Sequence, residues 1–93
     1  MTEFSIIIPI YNEAKIISNF LKKLHSTFKE KKCKYIFIDD GSNDGTSDIL
    51  KKTISNLFNN YNYKELRLKK NYGKAYAVKK GIEFIEGEYT LLI

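Results

Sequence analysis

Tyr35-Ile36-Phe37-Ile38-Asp39-Asp40-Gly41-Ser42-Asn43-Asp44-Gly45-Thr46 carries the clearest change of pattern in the chain. Four apolar, strand-prone residues run straight into two carboxylates and a glycine-bounded polar turn. An unbroken apolar run of this kind suits a strand buried on both faces. Asx, Ser and Gly then turn the chain before a helix. Strand, tight turn and helix make up half of a β-α-β unit.

Working outward, the same grammar repeats. Phe4 to Ile8 is a second apolar, β-branched run, closed by Pro9, which cannot donate to a ladder. Glu65 to Lys69 alternates leucine with charge and reads as a weaker strand nearer an edge; Tyr89 to Ile93 reads as a fourth. Three amphipathic stretches lie between them. From about Glu13 to Phe28, Ile17, Phe20, Leu21, Leu24 and Phe28 form one stripe, with Asn12 as the expected N-cap. From about Thr46 to Phe58, Ile49, Leu50, Ile54, Leu57 and Phe58 point inward, and Asp48 suits the helix dipole. Asn59 to Lys64 reads as a polar loop. From about Lys74 to Ile85, Ala75, Val78, Ile82 and Ile85 are expected inward, with Gly87 as the stop. The order β-α-β-α-β-α-β predicts an α/β fold with a Rossmann-like parallel sheet and right-handed crossovers.

Composition bounds the function. The 93 residues allow one small domain or part of a larger one. Hydrophobic residues at 43% and charged residues at 29% are ordinary globular usage. Net charge is +5, but every basic residue except Arg67 is a scattered lysine. A dedicated phosphate reader would carry arginine forks, so nucleic acid is not expected as a partner. Cys33 and His25 are each the only one of their kind, which leaves neither a disulfide nor a triad. Met1-Thr2-Glu3 lacks the basic start of a signal peptide, and Ile6 to Ile10 is far short of the roughly 20 residues that span a bilayer. A cytoplasmic location is expected.

Ligands bind open parallel sheets beyond the carboxyl ends of the strands, which selects three segments. In Pro9-Ile10-Tyr11-Asn12-Glu13 a ring that could stack on a base sits beside a carboxylate. In Asp39 to Thr46 two adjacent carboxylates repel, so one should accept donors from elsewhere, such as a base or ribose. In Asn71-Tyr72-Gly73-Lys74, glycine permits close approach, the helix start favours anions, and Lys74 adds charge. Taken singly, each also fits an ordinary capped turn. A calcium loop started at Asp40 fails, because its twelfth position is Lys51 and not glutamate. Neither G-x-G-x-x-G nor G-x-x-x-x-G-K-[ST] occurs. A receiver domain would place its acidic pair after the first strand, not the second.

Together, the three segments resemble the N-terminal half of family-two, inverting glycosyltransferases of the GT-A type. P-x-Y-N-E is present as Pro9 to Glu13, D-D-G-S-x-D-G-T as Asp39 to Thr46, and N-x-G-K-x-x-A as Asn71 to Ala77, followed by Gly81. The N-G-K form is closest to enzymes that glycosylate polyprenyl phosphates. The resemblance implies nucleotide binding by Pro9, Tyr11, Glu13, Asp39, Asp40, Gly73 and Lys74. Tyr11 would lie on the base, Glu13 and Asp40 would bond base or ribose, Asp39 would shape the turn, and Gly73 and Lys74 would lie near phosphates. It implies a nucleotide-sugar donor, UDP-sugar foremost, and a glycan or lipid-phosphate acceptor. The family's Mg²⁺ or Mn²⁺ is held by a D-x-D after the fourth strand, beyond Ile93. Residues 1–93 are thus expected to be a front half without catalytic base or metal ligands, inactive alone and able to self-associate along an open edge. A nucleotide-binding remnant and a basic RNA-binding α/β domain are the alternatives.

Overall fold

The computed structural model describes all of residues 1–93. Seven elements alternate: β1 (Phe4–Ile10), α1 (Ile17–Phe28), β2 (Cys33–Asp39), α2 (Thr46–Leu57), β3 (Asn62–Arg67), α3 (Lys74–Ile82) and β4 (Tyr89–Leu92). The strands form one parallel sheet in the order β3-β2-β1-β4. The chain therefore builds outward from β1 through β2 to β3, then returns across the sheet to place β4 on the other side of β1. The sheet's switch point falls between β1 and β4, where α/β folds open a crevice.

Pleating sends alternate side chains to opposite faces, and the helices divide accordingly. Ile6, Ile8, Ile10, Tyr35 and Phe37 pack under Leu21 and Leu24 of α1 and Leu50 and Ile54 of α2, with Phe58 just beyond α2. Ile7, Ile36 and Ile38 pack under Ala77 of α3. Both faces of β1 and β2 are thus dry, which is why these runs do not alternate with polar residues. β3 and β4 each have one neighbour, and their side chains are mostly half-buried or exposed.

Several boundaries differ from expectation. Pro9 does not close β1, which runs on to Ile10 with Pro9 and Ile10 in register with Ile38 and Asp39, since a strand tolerates the loss of one donor where its other ladder bonds hold. β2 begins two residues early, at Cys33. α1 starts at Ile17, not Glu13, and Asn12 does not cap it. Asn12 sits at φ 49, and its Oδ1 accepts from the Asn43 amide at 2.9 Å. Its side chain binds another loop, and the chain first makes a turn in which the Ile16 and Ile17 amides donate to the Glu13 carbonyl. β3 begins at Asn62, inside the supposed loop, because Asn62 to Lys64 pair with Lys34 to Ile36 of β2. Ladder bonds outweigh weak local propensity there.

α3 ends at Ile82 and presents a different face. Ala77 and Gly81 are its buried residues, while Ala75, Ile82 and Ile85 are exposed. A Cβ on Gly81 would stand 2.8 Å from Ile38 Cδ1. The helix lies so close to the sheet that its contact line is drawn by small residues, which apolar periodicity does not detect.

The Tyr35 ring is fully buried among Phe37, Phe58 and Tyr61, and its hydroxyl has no nitrogen or oxygen partner, only the weakly bonding Cys33 thiol nearby. Burial, aided by the neighbouring Cys33 thiol, pushes its pKa up. Removing an unsatisfied buried hydroxyl relieves its desolvation cost. Tyr35→Phe is expected to gain about 1 kcal/mol, read as a melting temperature raised by roughly 4–8 °C.

Candidate functional site

The carboxyl ends of β1, β2 and β3 carry three loops, and the acidic loop after β2 holds the other two. Toward the first loop, Ser42 Oγ accepts from the Asn12 amide at 2.9 Å and Thr46 Oγ1 from the Glu13 amide at 2.8 Å. Asp44 Oδ2 accepts from the Ala14 amide at 3.3 Å. Toward the third loop, Asp40 does the work alone. Its Oδ1 accepts from the Tyr72 amide at 2.9 Å; its Oδ2 accepts from the Gly73 amide at 3.0 Å and Asn71 Nδ2 at 3.1 Å. Asp40 is buried. A carboxylate in that position needs several donors, and three consecutive residues of one loop supply them.

Asp39 is also buried but turned inward. Its Oδ1 accepts from the Ser42 amide at 3.0 Å, and its Oδ2 accepts from the Ser47 hydroxyl. The two adjacent carboxylates thus avoid sharing a site: one closes its own turn and the other ties down the Asn71–Gly73 loop. Gly41 follows them at φ +71, and a Cβ there would stand 2.2 Å from the Lys70 carbonyl carbon. Both the left-handed backbone and the close crossing of the two loops require glycine.

These loops frame a cleft of about 450 Å³ lined by Pro9, Ile10, Tyr11, Glu13, Ile16, Ile17, Phe20, Asp40, Asn71, Lys74 and Ile93. It opens at the β1/β4 switch point. Of the residues expected to bind nucleotide, Pro9, Tyr11, Glu13, Asp40 and Lys74 line it. Asp39 and Gly73 do not; Asp39 is enclosed in its own turn, and Gly73 is tied to the cleft through the hydrogen bond its amide donates to Asp40. The apolar floor contributed by Ile16, Ile17 and Phe20 was not anticipated as part of a site, since these positions read only as helix stripe or turn. Asn71 was visible in the third motif, but its bond to Asp40 depends on the loops meeting.

Within the cleft, the polar side chains differ in how free they are. Glu13's carboxylate and Lys74's ammonium have no hydrogen-bond or ion-pair partner, and the Tyr11 ring is 42% exposed. Asp40 has most of its acceptor capacity engaged. The cleft therefore offers a ring face, one free acceptor and one free cation over an apolar floor. A divalent ion does not fit these residues: no group of three or more His, Cys, Asp or Glu is placed to hold one.

A parallel Rossmann-like sheet with its cleft at the switch point defines a ligand-binding α/β domain of the kind that forms the front half of GT-A glycosyltransferases. The sequence matches the model of glycosyl transferase family 2 over residues 5–93, and the chain belongs to that family. It is 35% identical over 96 aligned residues to a dolichyl-phosphate beta-glucosyltransferase of Dictyostelium discoideum, covering 96% of this chain and 29% of that protein. It is 37% identical over 93 residues to the Saccharomyces cerevisiae dolichyl-phosphate beta-glucosyltransferase, covering 94% and 28%. Among solved structures, S. aureus TarS (1-349) superposes with a TM-score of 0.80 at 30% identity, covering 99% of this chain and 27% of that one. A Pyrobaculum calidifontis mannosyltransferase, solved with GDP-Man and Mn²⁺, shares the fold with a TM-score of 0.76 at 21% identity, covering 89% and 25%. The chain spans less than a third of the length of these relatives.

Two consequences follow from the loop bonds. Gly41→Ala should cost about 2 kcal/mol or more, from the positive φ alone. Asp40→Ala should cost about 1–3 kcal/mol by leaving the Tyr72 and Gly73 amides unpaired. Denaturant melts of both variants check this; wild-type stability in either would contradict the loop assignment.

The Thr46 hydroxyl beside Asp44 holds its carboxyl below the usual carboxylate range, helped by the Thr46 and Ala14 amides. A depressed folded-state pKa gives stabilisation that is complete above the unfolded value, about 3.9, and is lost as pH falls through the folded value. Asp44→Asn should therefore flatten the acid limb of a melting-temperature profile while lowering its neutral plateau.

Proposed function

We propose that residues 1–93 form the donor-nucleotide half of a GT-A glycosyltransferase domain, with UDP-sugar as the donor. The observation that carries the reading is the convergence of Pro9, Tyr11, Glu13, Asp40 and Lys74 on one cleft beyond the strand ends. Tyr11, beside Pro9 in the cleft lining, offers a ring face for the base. Glu13 offers the free acceptor for base or ribose donors. Asp40 reaches the cleft with its remaining lone pair and keeps the Asn71–Gly73 loop in place, while Asp39 holds the turn that positions Asp40. Gly73 and Lys74 open α3, where the helix start and a lysine both favour phosphate.

In this reading the chain binds and orients the donor, and none of its side chains is the base that activates an acceptor. The Mg²⁺ or Mn²⁺ used by the family would offset charge on the donor diphosphate, but the ligands for it are not among these residues. The acceptor is proposed to be a glycan or a polyprenyl phosphate; two relatives named above are dolichyl-phosphate beta-glucosyltransferases. No helix is long and apolar enough to cross a membrane, and a cytoplasmic site of action belongs to the same proposal. So does self-association along β4, whose outer edge carries the exposed Tyr89 and Leu92.

Calorimetric titration with UDP and uridine tests the reading. Base stacking on an aromatic ring is worth about 1–3 kcal/mol, so Tyr11→Ala should weaken UDP binding by about tenfold or more. Lys74→Gln should weaken UDP but leave uridine unchanged. Wild-type affinity for UDP in Tyr11→Ala would sink the site assignment.

A further inference from the structure

Beside α3, four side chains form a ladder, Lys70 and Tyr72 from the loop before the helix and Tyr76 and Lys80 from the helix itself. The Tyr72 and Tyr76 rings stack with centroids 4.5 Å apart and planes 26° apart. Lys70 Nζ lies over the Tyr72 ring at 5.2 Å, and Lys80 Nζ lies over the Tyr76 ring at 5.5 Å. Both tyrosines are exposed, at 43% and 38%. Burial of Ala77 and Gly81 fixes the phase of the helix and turns Tyr76, Lys79 and Lys80 outward. Between positions 69 and 83 there are five lysines against one acid, Glu83. Glu83 lies 3.6 Å from Lys80 across an exposed pair, a contact that contributes little. Nothing in the fold needs this ladder: the core contacts of α3 are made by its other face.

We propose that this face of α3 is a docking surface for an anionic lipid membrane. Tyrosine presents an apolar body and a polar tip, which suits the level of lipid headgroups. Lysines beside it are attracted to anionic lipid at about 1 kcal/mol each. Phosphate readers of nucleic acid carry arginine forks, and every basic residue of this patch is lysine. Lysine charge beside amphipathic tyrosines favours the lipid surface. Lys74 begins the same helix and lines the cleft, so docking by α3 would bring the cleft mouth close to the membrane. The inference stands on the ladder alone and is independent of the nucleotide reading.

Sedimentation of the 93-residue chain with sonicated vesicles tests it, using phosphatidylcholine alone and phosphatidylcholine with phosphatidylglycerol. Wild type should bind only the anionic vesicles, and less as salt rises. Lys70→Gln/Lys80→Gln should weaken binding about 30-fold, the product of two losses of about 1 kcal/mol each. Tyr72→Ser/Tyr76→Ser should weaken it further without changing the charge. Lys22→Gln/Lys23→Gln, an equal change of charge on α1 at the opposite face of the sheet, should bind nearly as wild type. Circular dichroism melts establish that each variant is folded. Failure of wild type to bind anionic vesicles, or an equal loss in the α1 variant, would overturn the proposal. Binding to poly(U) without binding to vesicles would overturn it in favour of nucleic acid.

Discussion

A buried carboxylate cannot stay charged without donors, and Asp40 meets that requirement by capturing the Asn71–Gly73 segment. Most of what positions the cleft depends on this. β3 is a weakly buried edge strand, and beyond Leu68, which packs on the sheet, the segment after it has no buried apolar residue before α3. The Tyr72 and Gly73 amides and the Asn71 side chain fix where that segment ends and where α3 begins. The start of α3 in turn places Lys74 opposite Tyr11 and Glu13.

The remaining polar groups of the acidic loop work in the other direction. Ser42, Thr46 and Asp44 accept the amides of Asn12, Glu13 and Ala14. Those three amides precede α1, where the chain has left β1 and has no ladder to join. Asn12 returns the bond by accepting the Asn43 amide. Nearly every polar side chain between Asp39 and Thr46 is therefore spent on the protein's own backbone. The groups left for a ligand, Tyr11, Glu13 and Lys74, lie in the two loops that the acidic loop holds in place.

This division of labour explains which parts of the site were legible. The strand-turn-helix grammar around Tyr35–Thr46 and Phe4–Ile8 identified the parallel sheet, because continuous apolar runs are needed wherever both faces are covered. The rule that ligands sit beyond strand carboxyl ends then selected the three segments that the structure brings together around the cleft. The apolar floor of Ile16, Ile17 and Phe20 was not legible as a site, since a helix stripe looks the same whether it faces a core or a cleft. The inward face of α3 was misread because Ala77 and Gly81 pack by being small, and apolar periodicity weights the larger Ile82 and Ile85.

The order of elements, the parallel sheet and the loops at the carboxyl ends of its strands were all legible in the amino-acid sequence. They were so because burial on two faces, turn chemistry and helix periodicity are local properties of the chain. Only the tertiary structure decided what each carboxylate does. Asp39 and Asp40 are identical in type and adjacent, yet the pleat and turn send one into its own loop and the other across to a segment some thirty residues on. The start of β3 and the bound conformation of Asn12 were decided the same way, by hydrogen-bond partners far apart in sequence whose distances local pattern does not encode.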